Sequence, residues 1–510
     1  MNRALTLMLL LLAGTQAAQA KDLLGVFEDA VHNDPVIRQA DANRLAAREA
    51  RPQAWSALLP QLNGTAGVSG DHNSGTTPLE TANPNPNPNN PSSQVIVVPV
   101  QQVTDTTTRQ WALNLRQNVF SWANWMTLKE AGREVAQAEA NYQAAEQQLI
   151  LRVAQAYFAV LAAYDTLQAN QASLEAIARQ LDQAEQRFGV GLIAVTDVQE
   201  ARAAHDTAAA AVIAAKRTLA TTEDQLQEIT GQKYDALAKP GTDMPLESPQ
   251  PADVSRWVEL SLDQNLTLIS SRLGADIARD NVRVAEGGHL PTLDIVASRS
   301  YQDQGINQVF AGAPYNYGTY FNDRQIGLQL TVPIFSGGYT QSKVREAQYR
   351  WISAKEAVVQ SSRATERQAR DAYLGVMSGI AHVQALRRAL ESSETALKAT
   401  EAGYEVGTRT SVDVLNARRT LVQAQTDYAA ARYDYIVSVL QLRLAAGNLD
   451  RPELTQVNHW LNVNAPTAPA AANPESSAPS VPVAPVTPGT VPPAGPAPVQ
   501  PQPQPPPAKP

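Results

Sequence analysis

Residues 187–202 read RFGVGLIAVTDVQEAR and residues 403–418 read GYEVGTRTSVDVLNAR. Gly191 is matched by Gly407, and Asp197 by Asp413, at one constant offset of 216 (407 − 191 and 413 − 197). A period that long marks a duplicated half-molecule, so a pattern present in both halves carries more weight than either copy alone. In each stretch a glycine interrupts a helical pattern, and Gly191 and Gly407 are expected as turn residues with a left-handed backbone. The chain should reverse there and lay a second helix back along the first.

Upstream of both turns runs a heptad seam. In the first half it passes through Leu128, Val135, Tyr142 and Leu149, takes one extra step of four, and resumes at Val153 toward Phe188. In the second half it passes through Val344, Trp351 and Val358 to Thr365, makes the same extra step to Ala369, and continues to Tyr404. Such a stutter locally unwinds a left-handed supercoil, so both helices should run straight there. No proline interrupts residues 123–188, which predicts a helical rod about 100 Å long. Shorter return seams follow the glycines, Val198 to Leu219 and Val414 to Tyr435, and their many alanines imply close helix approach.

Between the helices the period changes to two. Leu62, Gly64, Ala66 and Val68 alternate with polar neighbours, as do Trp111, Leu113 and Leu115. Leu293, Ile295 and Ala297, then Ile326, Leu328 and Leu330, repeat the pattern in the second half. Strands with one apolar and one polar face suit a half-buried sheet, or a barrel with lipid outside and water inside. Trp55, Phe120, Trp122, Trp125, Tyr301, Tyr320 and Phe335 lie at the segment ends, where an interfacial girdle would sit. Residues 70–104, with Asn-Pro repeats, and residues 302–322 are expected to be polar loops. Four strands cannot close a barrel, so the chain must assemble with copies of itself; three copies give twelve strands and two give eight.

Composition bounds the function. Arg3, the apolar run Leu5–Ala13 and Ala18-Gln19-Ala20 form a signal peptide, so an exported chain starting at Lys21 is expected. The absence of cysteine excludes disulfides, thiolate metal sites and cysteine nucleophiles. A net charge of −8 over 510 residues, with no basic stripe, argues against nucleic acid as a partner. The six histidines show no metal-ligand spacing, and no phosphate loop or nucleophile elbow occurs, so no enzyme, metal or cofactor is expected. His205 lies on a return seam and reads as a packed histidine.

Taken together, the signal peptide, the duplicated helix and strand order, the Leu59-Pro60 and Leu290-Pro291 strand entries, the Val119-Phe120-Ser121 and Ile334-Phe335-Ser336 exits and the paired glycine turns resemble the TolC family of outer-membrane efflux and secretion channels. The resemblance covers nearly all of Lys21 to Asn448. It implies a mainly α fold with a transmembrane β-barrel: a homotrimer whose twelve-stranded barrel in outer-membrane lipid continues as a long α-helical coiled-coil barrel across the periplasm. A periplasmic adaptor and an inner-membrane RND or ABC transporter would dock at its tip. The chain then divides into a signal peptide (1–20), a first repeat (21–230), a linker (231–251), a second repeat (252–448), an equatorial extension (449–463) and a Pro/Ala-rich tail (464–510) expected to be disordered.

The resemblance also implies a gate of Thr196, Asp197, Tyr404 and Arg409, in which Arg409 and Tyr404 bond to the Thr196–Asp197 region and hold the inner helices inward. Gly191, Gly407 and Thr408 would form the turns that meet the adaptor. Asp413, repeated by symmetry, would ring the pore, favour cations and have a raised carboxyl pKa. A second acid of the family pattern is replaced here by Asn416, which implies a single acidic ring. Two readings stand beside the gate. Thr196 with Gln199, Asp197 with Glu200, and Asp413 after Ser411 also suit helix caps, and Arg202 and Arg418 suit a solvated face. For the whole chain, the alternative is an exported coiled-coil scaffold or adhesin, which would not need paired amphipathic strands.

Overall fold

The computed structural model describes residues 20–467 apart from 242 and 243, so the signal peptide up to residue 19 and the tail beyond residue 467 lie outside the described residues. Helices α1 (Leu23–Asn33), α2 (Pro35–Arg48) and α3 (Ala50–Ser56) lead into strands β1 (Gln61–Ala82) and β2 (Val95–Phe120). The long helix α4 (Trp122–Gly189) and its return helix α5 (Val195–Thr230) follow, then the short strand β3 (Ala238–Pro240). The order recurs as α6 (Val254–Gln264), α7 (Leu266–Glu286), β4 (Thr292–Phe310), β5 (Ala313–Thr331), α8 (Tyr339–Glu405) and α9 (Ser411–Ala446). Helix α10 (Arg451–Asn458) and strand β6 (Leu461–Pro466) complete it. The long helices have 68 and 67 residues and the return helices 36 each, so the duplication read in the turns extends to element length.

The core sits where the seam stutters. Leu149 and Val153 are 1% and 0% exposed, and their counterparts Thr365 and Ala369 are 3% and 0% exposed. Local unwinding turns successive seam positions toward the same neighbour, which buries both. Around them Tyr157, Phe158 and Leu161 of α4 pack with Tyr433, Tyr435, Ile436 and Leu440 of α9, and with Leu23, Trp257 and Leu454. Each such side chain contributes about 2–3 kcal/mol by leaving water. The apolar run nearest to a membrane span in the sequence, residues 149–164, is thus a core segment, and no helix among the described residues is long and apolar enough to cross a bilayer.

Buried phenols tie this core together and fasten the linker to it. Tyr157 Oη donates to Ala238 O at 2.7 Å, Tyr433 Oη to Asp165 Oδ2 at 2.6 Å, and Tyr435 Oη to Glu247 O at 3.0 Å. Strand β3 pairs antiparallel with β6, and Lys21 bridges to Leu237 beside it, so both ends of the described chain meet at mid-height. The tail boundary expected at Asn464 is corrected here: β6 continues through Pro466, and Thr467 N donates to Leu237 O at 3.0 Å. Backbone pairing orders these residues without needing apolar side chains.

The four long strands form one antiparallel sheet in the order β1-β2-β4-β5. Its register joins Leu62, Leu115, Ala297 and Ile326 in a single row, so the apolar faces read from the sequence coincide. At the base, Phe120, Trp122 and Phe335 are exposed, and higher up Trp111 stacks on Tyr301 at 6.5 Å. Phe120 and Trp111 are nine residues apart on β2, about 30 Å of strand, which matches the apolar band of a tilted membrane strand. The outer edges of β1 and β5 have no strand partner among the described residues.

The loops expected at 70–104 and 302–322 are mostly strand. Pairing runs from Gly70↔Thr107 to Ala82↔Val95 in one hairpin and from Gln302↔Phe321 to Phe310↔Ala313 in the other. Through Thr104 to Thr108 and their partners both faces are polar, and from Val95 to Val100 both faces of β2 are apolar, so the two-residue alternation that signals a strand is missing in each, while the backbone still pairs. Ala311 and Gly312, with φ of 53° and 77°, make the two-residue turn of the second hairpin.

Helix α9 ends at Gly447, whose φ of 79° is left-handed and whose carbonyl accepts from buried Gln147 Nε2 at 2.9 Å. A Cβ there would stand 2.3 Å from the Gln264 carbonyl oxygen, whereas one at Gly407 meets open space. Gly447→Ala should therefore cost more than the roughly 1–2 kcal/mol of a left-handed alanine. Heat denaturation of the extracted protein should show a midpoint several degrees below that of Gly407→Ala.

Candidate functional site at the paired helical turns

Both turns end their long helix with the same backbone bonds. Gly191 N donates to Phe188 O at 2.9 Å and Leu192 N to Arg187 O at 2.9 Å; Gly407 N donates to Tyr404 O at 3.1 Å and Thr408 N to Gly403 O at 2.8 Å. These are Schellman closures, which require the left-handed φ of 78° at Gly191 and 79° at Gly407. In the second turn Thr408 Oγ1 adds a bond to Gly403 O at 3.0 Å. A Cβ on Gly403 would meet Arg409 Cγ at 2.8 Å, so this bare glycine gives the Arg409 stem its room.

Below the turns each helix pair is braced by an ion pair. Arg202 Nη2 stands 2.8 Å from Glu185 Oε1, and Arg418 pairs with Glu401. Both pairs obey the 216 offset, and each joins the return helix to the long helix before it. Arg202 remains on a solvated face while making this pair, whereas Arg418 is partly buried between its helices. Glu185 and Glu401 were not singled out in the sequence, although their repetition at the same offset is visible there.

The two halves touch through residues the gate reading did not pair. Arg187 Nη1 donates to Tyr404 Oη at 3.3 Å, and the guanidinium lies 5.4 Å from the Tyr404 ring centre. Gln180 Nε2 donates to Ser411 Oγ at 3.2 Å. Tyr404 thus reaches the first half, as the gate reading requires, but through Arg187 and not through Thr196 or Asp197. Within one chain the side chains of Arg409, Thr196 and Asp197 make no hydrogen bond or ion pair among the described residues. Arg409 and Thr196 are exposed at the tip and Asp197 is half-buried.

The cap readings divide. Helix α5 starts from Ala194, which offers no side-chain cap, so Thr196 and Asp197 lie inside the first turn and do not form capping boxes. Asp197 there faces the positive end of the helix dipole. Helix α9 starts from Thr410, and Asp413, the residue read as a cap, closes a complete capping box from the third helical position: Asp413 N donates to Thr410 Oγ1 at 3.2 Å, and Thr410 N and Oγ1 both donate to Asp413 Oδ2 at 2.9 Å. His205 is half-exposed beside Asp206 and is not a packed core histidine.

The backbone N–H of Thr410, then its hydroxyl, and the nearby Arg409 charge hold the Asp413 carboxyl below its ordinary value. This lowering arises within one chain, where the donors at the helix start act on the carboxylate directly; the upward shift expected of a ring of carboxylates belongs to the assembly. Because the folded pKa is depressed, the cap is fully effective above the ordinary carboxylate range near about 4 and is lost as pH falls through the lower folded value. Amide exchange in the first turn of α9 should accelerate over that acidic window. In Asp413→Ala it should already be fast at neutral pH and lack this acidic step.

Comparison with known proteins agrees with this architecture. The chain matches the outer membrane efflux protein family over residues 26–232 and 257–448. It is 36% identical over 449 residues to the outer membrane protein TolC of Vibrio cholerae, covering 88% of this chain and 96% of that one. The proteases secretion protein PrtF of Dickeya chrysanthemi is 26% identical over 467 residues, covering 90% of this chain and 95% of its own length. The Campylobacter jejuni CmeC outer membrane channel superposes with a TM-score of 0.65 at 19% identity, covering 87% of this chain and 90% of CmeC. With two matched segments separated by the β3 linker and spanning both repeats, the chain belongs to the outer membrane efflux protein family.

Proposed function

We propose that three copies of this chain form an outer-membrane duct through which drugs and secreted polypeptides leave the cell, docked to a periplasmic adaptor and an inner-membrane RND or ABC transporter. The observation that carries this reading is the four-stranded sheet with two open edges and aromatic residues about 30 Å apart, standing on helices too long for an ordinary globular domain. Three such sheets supply twelve strands, and the duplicated helix pairs continue the tube below. The duct is passive, and energy comes from the transporter. Membership of a channel family and the protease-secretion relative support this over a scaffold or an enzyme.

At the tip the gate has two layers. Arg187 and Tyr404 join the halves of one chain, while Arg409, whose side chain makes no hydrogen bond or ion pair among the described residues of its own chain, reaches Thr196 or Asp197 of the neighbouring copy. Asp413 Oδ2 is engaged by Thr410, leaving Oδ1 to face permeating cations in a single acidic ring. Thr408 and the glycine turns meet the adaptor.

Native mass spectrometry of detergent-extracted protein should give a trimer that conducts in planar bilayers; a soluble monomer without conductance would overturn the duct. Arg409→Ser or Asp197→Ala should raise closed-state leak about tenfold, the shift expected from one lost charge-assisted bond of about 1.5 kcal/mol. Asp413→Ala should lower cation selectivity. Unchanged leak and selectivity would overturn the gate and leave the duct intact.

A further inference from the structure

The β1–β2 hairpin outlasts its sheet. Strand β4 ends at Phe310, opposite Gln102, yet β1 and β2 stay paired as far as Ala82↔Val95. Residues 76–82 and 95–101 therefore form a two-stranded ribbon of seven pairs, about 23 Å long, beyond the four-stranded sheet. Pairing from Gln61↔Arg116 to the tip has no register shift, so strict alternation of faces holds throughout.

That alternation fixes which side chains look inward. On β2, Asn114, Gln110, Thr108 and Thr106 lie opposite the face of Trp111 and Leu115, and in the assembled cylinder this polar face lines the lumen. Past Gln102 the same face carries Val100, Val98 and Ile96, paired with Thr77, Leu79 and Thr81. The inward surface thus turns from polar to apolar where the ribbon leaves the sheet. Ile96 and Val98 remain 36% and 37% exposed in the single chain.

Lipid does not reach this patch. Val98 lies thirteen residues past Trp111 on β2, about 43 Å of strand, and on the opposite face from the lipid side. The ribbon continues β1, the edge strand that would pair with a neighbouring copy when the cylinder closes. We propose that the ribbons of the three copies converge on the axis and cover one another's Leu79, Ile96 and Val98. They form an apolar collar, a second constriction at the outer mouth that hinders ions by dewetting until the ribbons spread. This inference rests on the trimeric duct described above.

The chain has no cysteine, so single thiols report on it directly. Oxidising intact cells that carry Val98→Cys should give disulfide-linked dimers on non-reducing gels, at about tenfold the yield of outward-facing Val97→Cys, because a disulfide needs Cα atoms within about 7 Å. In planar bilayers, Val98→Asp on an Arg409→Ser background should raise single-channel conductance severalfold over Arg409→Ser alone. Intact trimers whose Val98→Cys thiols stay unlinked and react with an external maleimide would overturn the collar alone. Failure to recover trimers of the unaltered chain would overturn the duct and the collar together.

Discussion

The unpaired edges of β1 and β5 govern everything else in the molecule. Each backbone N–H or C=O left open in hydrocarbon costs several kcal/mol, and only pairing between strands can remove that cost in a sheet. The span between Phe120 and Trp111 presents several such groups on each edge, so the sheet of one chain is incompatible with lipid until another copy covers it. Folding of the barrel and assembly of the oligomer are then one event. The duplication serves this constraint, because each half supplies one hairpin and one helix pair, and both must be present for the edges to fall where neighbours meet them.

The helical part solves a different problem. A helix of 68 residues cannot be held by one compact core, and its burial is concentrated where α4 and α9 cross the linker and β3. Toward the turns the return helices offer mostly alanine, and only a minor cluster forms there among the described residues, Ala184, Val198 and Ala201 with Leu181 and Ile193 packed against it. Shallow packing of this kind lets helices slide, and the paired braces Arg202–Glu185 and Arg418–Glu401 keep each pair together without fixing one pair against the other. Exposed ion pairs contribute little to stability, generally under about 1 kcal/mol. Their role is register within a helix pair.

The parts legible in the sequence were those repeated with a strong period: the seams, the stutter, the glycine turns and the apolar faces of the strands. The stutter stood out because it occurs twice, and its residues are among the most buried. The outer halves of the strands were not legible, since Thr104 to Thr108 and their partners place polar groups on both faces and leave only backbone pairing as the signal. Arg187 was missed at the site because its contact with Tyr404 crosses between the halves, and an internal repeat reveals what the halves share, not how they meet. At the start of α9 the capping role of Asp413 is legible, but its partner Thr410 is not, because Thr410 and Ser411 are alike by type and only backbone conformation says which one precedes the helix.

Placing the largest core at mid-height makes it a fulcrum. From Val153 to Gly189 the helix extends 36 residues, about 54 Å, with little cross-bracing beyond its own partner. A rotation of about 5° about that point swings the far end by about 5 Å, while side chains at the pivot move by fractions of an ångström. A protein pressing on the turns therefore works with a long lever, and a modest push there dilates the tube without disturbing the belt that holds it together.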